Sequence, residues 1–376
     1  MDSPHRRLVR LVVESVAGVL AAGLLTTTGP LGASPVSGPD TPDAAGGPGS
    51  VATASAPADA LAAALAEPEL PPVRPLPRTS DVVALPETCA TRTERVPQQA
   101  MICYLTPFLE DRPTVFLWGD SHAWMLVPAL RAAATGRDVN LVLSTFGGCP
   151  AMDPGLTPDD LTRLGRCGLN AYLGLRFVDR MRQGTQPLKV VIAGNWEMYQ
   201  RAIGLIDLGR EPGEGRASYA FAQAAILREG GPALARQLAA WDVDVDVVGQ
   251  VARPPARPGP CAQGRDPFRC AFPRGEAFFF ERATVDWLGE MFAPLAAQGG
   301  LRYIDLNESL CSPYLCRGVV DGIATYLDNS HLTAALTRHL GWYLVPSVAD
   351  VAAPGPVRTG PGAPGTSGGC EPAVTC

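Results

Sequence analysis

Five short apolar segments that alternate with helical patterns place the strongest constraint on the fold of this chain. The segments have the length of β-strands and lie at 114–118, 139–143, 188–193, 243–248 and 302–306. Helical spacing follows at 121–136, 170–182, 217–240, 276–297 and 333–348. Strands that alternate with helices form a parallel sheet with helices on both faces. The sequence therefore predicts an α/β fold, a three-layer α/β/α sandwich around a central, mainly parallel sheet.

The two ends of the chain differ from this body in composition. Residues 1–33 combine three arginines with an apolar run, the layout of a secretory signal peptide or of an uncleaved membrane anchor. Positive charge before the apolar segment keeps the N-terminus on the cytoplasmic side of the membrane. A signal peptide and a membrane anchor would therefore both place the rest of the chain outside the cytoplasm. Residues 34–80 and 353–376 are rich in small residues, Pro and Gly, which predicts a disordered linker and tail. One folded domain remains at 81–352.

Charge and composition exclude several classes of function. The net charge is −6, with 31 basic and 37 acidic residues, whereas a nucleic-acid-binding protein carries a basic excess. Lys189 is the only lysine, which removes phosphate-loop and Schiff-base chemistry. After the N-terminal segment no apolar run reaches the roughly 20 residues that a membrane-spanning helix needs. We therefore expect no nucleic-acid partner and no multi-pass membrane protein.

The ten cysteines are even in number, and in an exported protein they are expected to form disulfides. Sequence alone does not fix the pairing, so we take nearest neighbours as the prediction. The predicted pairs are Cys89–Cys103, Cys149–Cys167, Cys261–Cys270 and Cys311–Cys316, with Cys370 and Cys376 left open in the tail. A structural zinc site is the alternative, but the chain has no C-x₂-C pair and only four histidines.

Polar turns follow three of the predicted strands. They are Gly119-Asp120-Ser121, Gly147-Gly148 and Gly194-Asn195. In parallel α/β sheets, function gathers at the carboxyl ends of the strands. Ser121 begins a helix there, so its hydroxyl can attack a carbonyl while its own N–H stabilises the oxyanion. The alternative is that Ser121 only caps the helix.

A second polar group precedes the final helix, in the sequence Asp328-Asn329-Ser330-His331. A serine nucleophile needs a base, and Asp and His three residues apart can place an imidazole beside a carboxylate that orients it. The alternative is a helix cap formed by Asp328 or Ser330, with no role for His331.

These two groups resemble the conserved blocks of a known family. Gly119-Asp120-Ser121-His122 is similar to the nucleophile block of SGNH hydrolases, and Asp328-x-x-His331 with Leu332-Thr333 is similar to their last block. The variant most resembles the SGNH domain often fused to membrane acyltransferase-3 proteins, which modify cell-surface glycans. The resemblance covers about 114–348 and implies a flavodoxin-like order of strands.

The resemblance also implies roles for individual residues. Ser121, Asp328 and His331 would form a catalytic triad. Gly147 or Gly148 would match the family's second block, and the N–H groups of Ser121 and Gly148 would form the oxyanion hole with the Asn195 side chain. The Asn195 turn reads Gly-Asn-Trp-Glu where the family usually has Gly-x-Asn-Asp. No metal or cofactor is implied.

The expected function is that of an exported serine-dependent acyl-ester hydrolase or O-acyltransferase acting on acetylated cell-surface glycan or a small ester. A membrane protein would donate the acyl group in the transferase form. His122 and Trp196 are candidates for binding the substrate. The alternative for His122 is a residue of the first helical turn that is bonded to a neighbour, and the alternative for Trp196 is burial in the core. Two other functions stay open: a non-catalytic glycan-binding or envelope scaffold protein, and a metal site for phosphoester chemistry built from Asp120, His122, Asp328 and His331.

Overall fold

The structure is a computed structural model that describes residues 82–89, 96–155, 165–210, 216–255 and 270–352, without the side chains of 166 and 216–221. The predicted N-terminal segment, linker and tail (1–33, 34–80 and 353–376) lie outside the described residues, as do Cys261, Cys370 and Cys376. Within the described ranges, no helix combines the length and the hydropathy required to cross a membrane.

Six strands form one sheet whose order matches the flavodoxin-like arrangement. In chain order the described strands are β1 (Cys103–Tyr104), β2 (Thr114–Gly119), β3 (Asn140–Thr145), β4 (Leu188–Ala193), β5 (Asp244–Val248), β6 (Ala271–Pro273), β7 (Leu301–Ile304), β8 (Leu315–Arg317), β9 (Val319–Val320) and β10 (Ile323–Ala324). The sheet order is β1-β3-β2-β4-β5-β7. Only β1 runs antiparallel to its neighbour in this sheet. The remaining short strands form two antiparallel pairs, β6 with β8 and β9 with β10.

Helices cover both faces of this sheet. They are α1 (Ser121–Met125), α2 (Val127–Ala133), α3 (Gly165–Arg182), α4 (Trp196–Asp207), α5 (Arg216–Ala240), α6 (Arg274–Ala277), α7 (Glu281–Met291), α8 (Ala293–Ala297), α9 (Asn307–Leu310), α10 (Ala334–His339) and α11 (Val345–Ala352), with a 3₁₀ helix at Leu340–Leu344. Successive residues of β2 enter different cores: Val115 and Leu117 pack on one side, Phe116 and Trp118 on the other. This alternation on a fully buried strand shows the predicted three-layer sandwich.

The carboxyl ends of the three central strands lie at the same level. Gly119, the last residue of β2, pairs with Thr145 of β3 and with Ala193 of β4. A Cβ at position 119 would overlap the Ala193 carbonyl oxygen, so glycine allows this close approach. The connections from β2 diverge to either side here, which makes this edge the topological switch point where α/β sheets bind ligands.

Prolines lie near the starts of three helices that the sequence predicts as parts of longer ones, although α5 continues through Pro232. The predicted segment 121–136 forms two helices, and Pro128 lies in the first turn of the second. Pro294 and Pro346 likewise lie near the starts of α8 and α11. Because proline lacks a backbone N–H, it fits the start of a helix and interrupts its interior.

Three of the predicted cysteine pairs are disulfides in the structure: Cys89–Cys103, Cys149–Cys167 and Cys311–Cys316. The fourth predicted pair, Cys261–Cys270, stays a prediction, because Cys261 lies outside the described residues.

Candidate active site

Ser121 is the first residue of α1, but a different residue caps this helix. The N-cap is Asp120, whose carboxylate accepts the backbone N–H of His122 at 2.7 Å. The alternative in which Ser121 acts as the cap is therefore wrong. The side chain of Ser121 is half-buried at the end of β2 and is not used to cap the helix.

Asp120 also holds the neighbouring turns in place. Its buried carboxylate accepts the N–H of Asn195 at 2.9 Å and the hydroxyl of Tyr199 at 2.7 Å. Its backbone carbonyl accepts the hydroxyl of Thr145 at 2.7 Å. Burial raises the pKa of Asp120, and the hydrogen bonds from Asn195, His122 and Tyr199 oppose that shift. One residue thus fixes the ends of β2, β3 and β4 relative to each other.

Asp328 and His331 form a direct pair. The Asp328 carboxylate lies 2.9 Å from Nδ1 of His331, and it also accepts the backbone N–H groups of Ser330 and His331 at 2.8 Å each. Burial raises the pKa of Asp328, but the hydrogen bond from His331, its charge and the two N–H groups outweigh burial and lower the pKa to about 2. An ionised carboxylate at Nδ1 favours the tautomer with Nε2 as the proton acceptor.

The helix after this pair has its own cap. It begins at Ala334, and the side chain of Thr333 accepts the N–H of Leu336 at 3.2 Å. The alternative in which Asp328 or Ser330 caps this helix is therefore wrong. Nε2 of His331 is buried without a hydrogen-bond partner among the described residues, so the imidazole is oriented on one side only.

The two sequence blocks meet in space. The rings of His122 and His331 are 5.6 Å apart between centroids, and Nε2 of His122 lies 3.2 Å from Oγ of Ser330, although the latter two residues are 208 positions apart. The structure thus brings the serine turn beside the Asp-His pair. The Ser121–His331 hydrogen bond itself is not formed, which is common in ligand-free sites, where catalytic contacts are often long.

Two further groups of the predicted oxyanion hole lie at this edge. The Asn195 side-chain amide donates to Oγ of Ser330 over 3.5 Å. The Gly147 N–H is occupied by the carbonyl of Pro97 at 3.1 Å, whereas the N–H groups of Gly148 and Ser121 have no acceptor among the described residues. Gly148 has a φ of 74°, the left-handed conformation that glycine adopts without strain. Of the two glycines, Gly148 is the one with an available donor.

The structure does not support a substrate contact by His122 or Trp196. His122 is only 1% exposed, and burial lowers its pKa well below the usual value, so the imidazole is neutral at neutral pH. Trp196 is fully buried, and its indole N–H donates to the carbonyl of Val248 at 2.8 Å. Trp118 and Tyr199 are also fully buried, so these aromatic residues belong to the core.

A buried carboxylate that no sequence motif marks lies beside the site. Glu197 has no exposed surface, and its carboxylate accepts the backbone N–H groups of Phe279 and Phe280 at 3.1 Å each. It also forms a salt bridge of 3.3 Å with Arg253. A glutamate amid apolar residues in the segment Trp196–Tyr199 was the available signal. The partners of Glu197 are more than 50 positions away in the sequence, so no local pattern indicates these contacts.

The structure does not favour a metal centre. Among the described residues, no group of three or more His, Cys, Asp or Glu side chains is arranged to hold a metal ion. The carboxylate of Asp120 is engaged by three donors and that of Asp328 by His331 and two backbone N–H groups. The alternative of a metal site built from Asp120, His122, Asp328 and His331 is therefore not supported.

A flavodoxin-like sheet with a serine, an asparagine and an Asp-His pair at its carboxyl edge defines the SGNH class of α/β domains. Residues 88–345 match the family model of the SGNH domain (fused to AT3 domains), and the chain belongs to this family. A solved structure with detectable similarity is the lipopolysaccharide acetyltransferase periplasmic domain of Salmonella ser. Paratyphi A, at 16% identity and a TM-score of 0.38, with 64% of this chain and 85% of that chain covered. Comparison with curated protein sequences gives no match.

Proposed function

We propose that this protein is an extracytoplasmic serine-dependent acyl-ester hydrolase or O-acyltransferase that acts on acetylated cell-surface glycan. The observation that carries the proposal is the free Nε2 of His331. Asp328 holds the opposite ring nitrogen, and the packing of the His122 and His331 rings brings this imidazole beside the Ser121 turn. Membership of the SGNH family and the three disulfides, which are typical of exported proteins, support it.

The proposed reaction has two steps. Rotation of the Ser121 side chain brings Oγ to Nε2 of His331, which takes the hydroxyl proton as Oγ attacks the ester carbonyl. The oxyanion accepts hydrogen bonds from the N–H groups of Ser121 and Gly148 and from the amide of Asn195. One such donor lowers a barrier by about 3 kcal/mol. The intermediate collapses, and the leaving alcohol takes the proton from His331.

The second step releases the acyl group from Ser121. Water, or a sugar hydroxyl, attacks the acyl carbonyl while His331 again accepts the proton, and Ser121 recovers it when the ester bond to Oγ breaks. Water as acceptor makes the protein an esterase. A sugar hydroxyl makes it a transferase, for which a membrane protein would supply the acyl group.

The test is labelling with a serine-reactive fluorophosphonate together with hydrolysis of an aryl acetate. We expect the native protein to react with both and Ser121→Ala to react with neither. Ser330→Ala is the matched control, because its hydroxyl lies in the same cluster, and it should keep the label. A native protein that takes no label and cleaves no ester would instead be a non-catalytic glycan-binding or envelope scaffold protein.

A second experiment separates hydrolysis from transfer. An isotopically labelled acetyl ester is supplied with and without a glycan acceptor, and the label is followed into acetate or into the glycan. Label in the glycan that depends on Ser121 supports the transferase, whereas label in acetate alone supports the esterase.

A further inference from the structure

Phe279 is an exposed aromatic residue that contacts two arginines. Its side chain is 58% exposed, although it is large and apolar. The guanidinium carbon of Arg253 lies 4.9 Å from the centroid of its ring, and that of Arg201 lies 5.3 Å from it. We call these three residues the Arg-Phe cluster. An exposed ring offers apolar surface to a ligand, and the two cations beside it attract negative charge.

The cluster is held rigidly by a buried group. Glu197 accepts the N–H groups of Phe279 and Phe280 and pairs with Arg253, so one carboxylate fixes the ring and one guanidinium together. Arg201 lies one helical turn after Glu197 on α4, which places both residues on the same face of that helix. The exposed ring is therefore positioned by the core below it.

The cluster lies at the edge of the sheet that carries the proposed active site. Glu197 is two residues after Asn195, in the first turn of α4, and Arg253 follows the carboxyl end of β5. The charge of Arg253 is one of the causes, after burial and the charge of His331, that lower the pKa of His122. His122 directly follows Ser121, so the cluster and the proposed nucleophile lie at the same edge of the sheet.

Among the described residues, the cluster has more positive than negative charge. Glu197 supplies one negative charge for two arginines, and Arg201 has no carboxylate partner in the described ranges. Burial lowers the pKa of Arg253, and the charge of Arg201 lowers it further, while Glu197 opposes both. A guanidinium that stacks on a ring keeps its in-plane N–H donors, which match a carboxylate or a phosphate. An anion between the two arginines relieves their repulsion.

We propose that the Arg-Phe cluster binds the anionic group of an acidic sugar, a carboxylate or a phosphate, with the sugar packed against the part of Phe279 that the two arginines leave exposed. The proposal deepens the proposed function, on which it rests, because it makes the substrate an acidic glycan. Arg201 and Phe279 then determine specificity and take no part in the bond-breaking step.

The test measures binding in the Ser121→Ala background, so its outcome does not depend on catalysis. The probes are trigalacturonic acid, glucose 1-phosphate and the neutral trisaccharide maltotriose, each titrated by calorimetry at low and high salt. We expect trigalacturonic acid or glucose 1-phosphate to bind at least tenfold more tightly than maltotriose, with a preference that falls as salt rises. The better acidic probe distinguishes a uronic acid from a sugar phosphate.

Substitutions then locate the site. Adding Arg201→Gln should weaken binding of the acidic probe about tenfold and leave maltotriose unchanged, whereas Phe279→Ala should weaken both. Arg236→Gln is the matched control, because this exposed arginine lies near the end of α5 that leads into β5, at the opposite edge of the sheet. Equal binding of acidic and neutral sugars, or acidic binding that is insensitive to Arg201→Gln, would overturn the proposal. A native protein that cleaves no ester but binds the acidic probe through Arg201 would overturn the proposed function and leave this binding site standing.

Discussion

The carboxylate of Asp120 accepts the backbone N–H of Asn195 at 2.9 Å, which joins the turn after β2 to the turn after β4. The same carboxylate accepts the N–H of His122, next to Ser121. The proposed nucleophile and the proposed oxyanion donor are thus positioned by one buried group. The hydrogen bonds explain how an ionisable side chain is accommodated in the core at this point.

Asp120→Asn should lower both stability and reactivity. The amide nitrogen would face a backbone N–H in place of an acceptor, so we expect the free energy of unfolding to fall by about 1–3 kcal/mol. Labelling of Ser121 by fluorophosphonate should slow about tenfold, which corresponds to about 1.4 kcal/mol. Urea unfolding and labelling time courses measure the two effects. Tyr199→Phe removes only one hydrogen-bond donor to Asp120, so it should reduce the free energy of unfolding and the labelling rate by less. An Asp120→Asn protein that is as stable and as reactive as the native one would contradict the role of this carboxylate.

Asp328→Asn should reduce ester cleavage about 10³- to 10⁴-fold, because the amide cannot stabilise the imidazolium or hold the correct tautomer. The change should appear in kcat more than in KM, since Asp328 is not expected to touch the substrate. Steady-state kinetics on an aryl acetate measure it. Asp321→Asn is the control, because Asp321 contacts His339 on the exposed surface and should leave the rate unchanged. Equal rates for Asp328→Asn and the native protein would exclude the proposed triad.

Asp328 should also affect stability in acid. Its pKa in the folded protein is about 2, below the ordinary value of 3.8, so its contribution is present above about pH 4 and is lost as pH falls towards 2. This side chain is 37% exposed, so solvent screens its charge and we expect a contribution of about 1 kcal/mol to the free energy of unfolding. Urea unfolding at pH 4.5 and pH 2.5 should show a larger loss for the native protein than for Asp328→Asn. The same loss in both proteins would refute the assignment.

His122 should make the protein less stable as pH falls below neutrality. Burial lowers its pKa well below 6.5, so the unfolded chain takes up a proton that the folded protein does not. Stability should then fall by up to about 1.4 kcal/mol for each pH unit below 6.5. His122→Gln keeps a polar partner for Ser330 but cannot titrate, so its stability should depend less on pH between 7.5 and 5.5. Parallel slopes for the two proteins would show that His122 is protonated in the folded state.

Gly119→Ala should be strongly destabilising, because the added Cβ would overlap the Ala193 carbonyl and push β2 away from β4. We expect a loss of about 3 kcal/mol in the free energy of unfolding. Gly289→Ala is the matched control: it lies inside α7 with open space around its Cβ position, and alanine should stabilise that helix by about 0.5–1 kcal/mol. Thermal or urea unfolding of both variants provides the measurement. A Gly119→Ala protein as stable as the native one would mean that the strands can separate at this point.

The sheet could be predicted because its five parallel strands are apolar runs that end at polar turns. The helix Trp196–Asp207 was missed, although its sequence carries start signals: Asn195 is a preferred N-cap residue type, and Glu197 is an acidic residue in the first turn. The edge strand Cys103–Tyr104 has two residues, and its pairing with β3, not its own pattern, makes it a strand. Short elements of this kind depend on contacts with distant parts of the chain.

The candidate site was predicted where a local motif marks it and missed where it depends on tertiary contacts. Ser121, Asp328 and His331 stand in short polar groups beside apolar segments. Trp196 was a candidate for binding the substrate, with the core as the alternative, because its place after a strand does not reveal that its ring turns towards β5. The Arg-Phe cluster joins residues from α4, from the loop after β5 and from the segment before α7, and no sequence pattern links them.

The last strand of the main sheet ends at Ile304, whereas the proposed base stands at His331. The strands of that sheet can therefore pair without the segment that carries the proposed base. The scaffold and the base lie in separate stretches of the chain, and the proposed site is complete only when the later stretch docks against the serine turn.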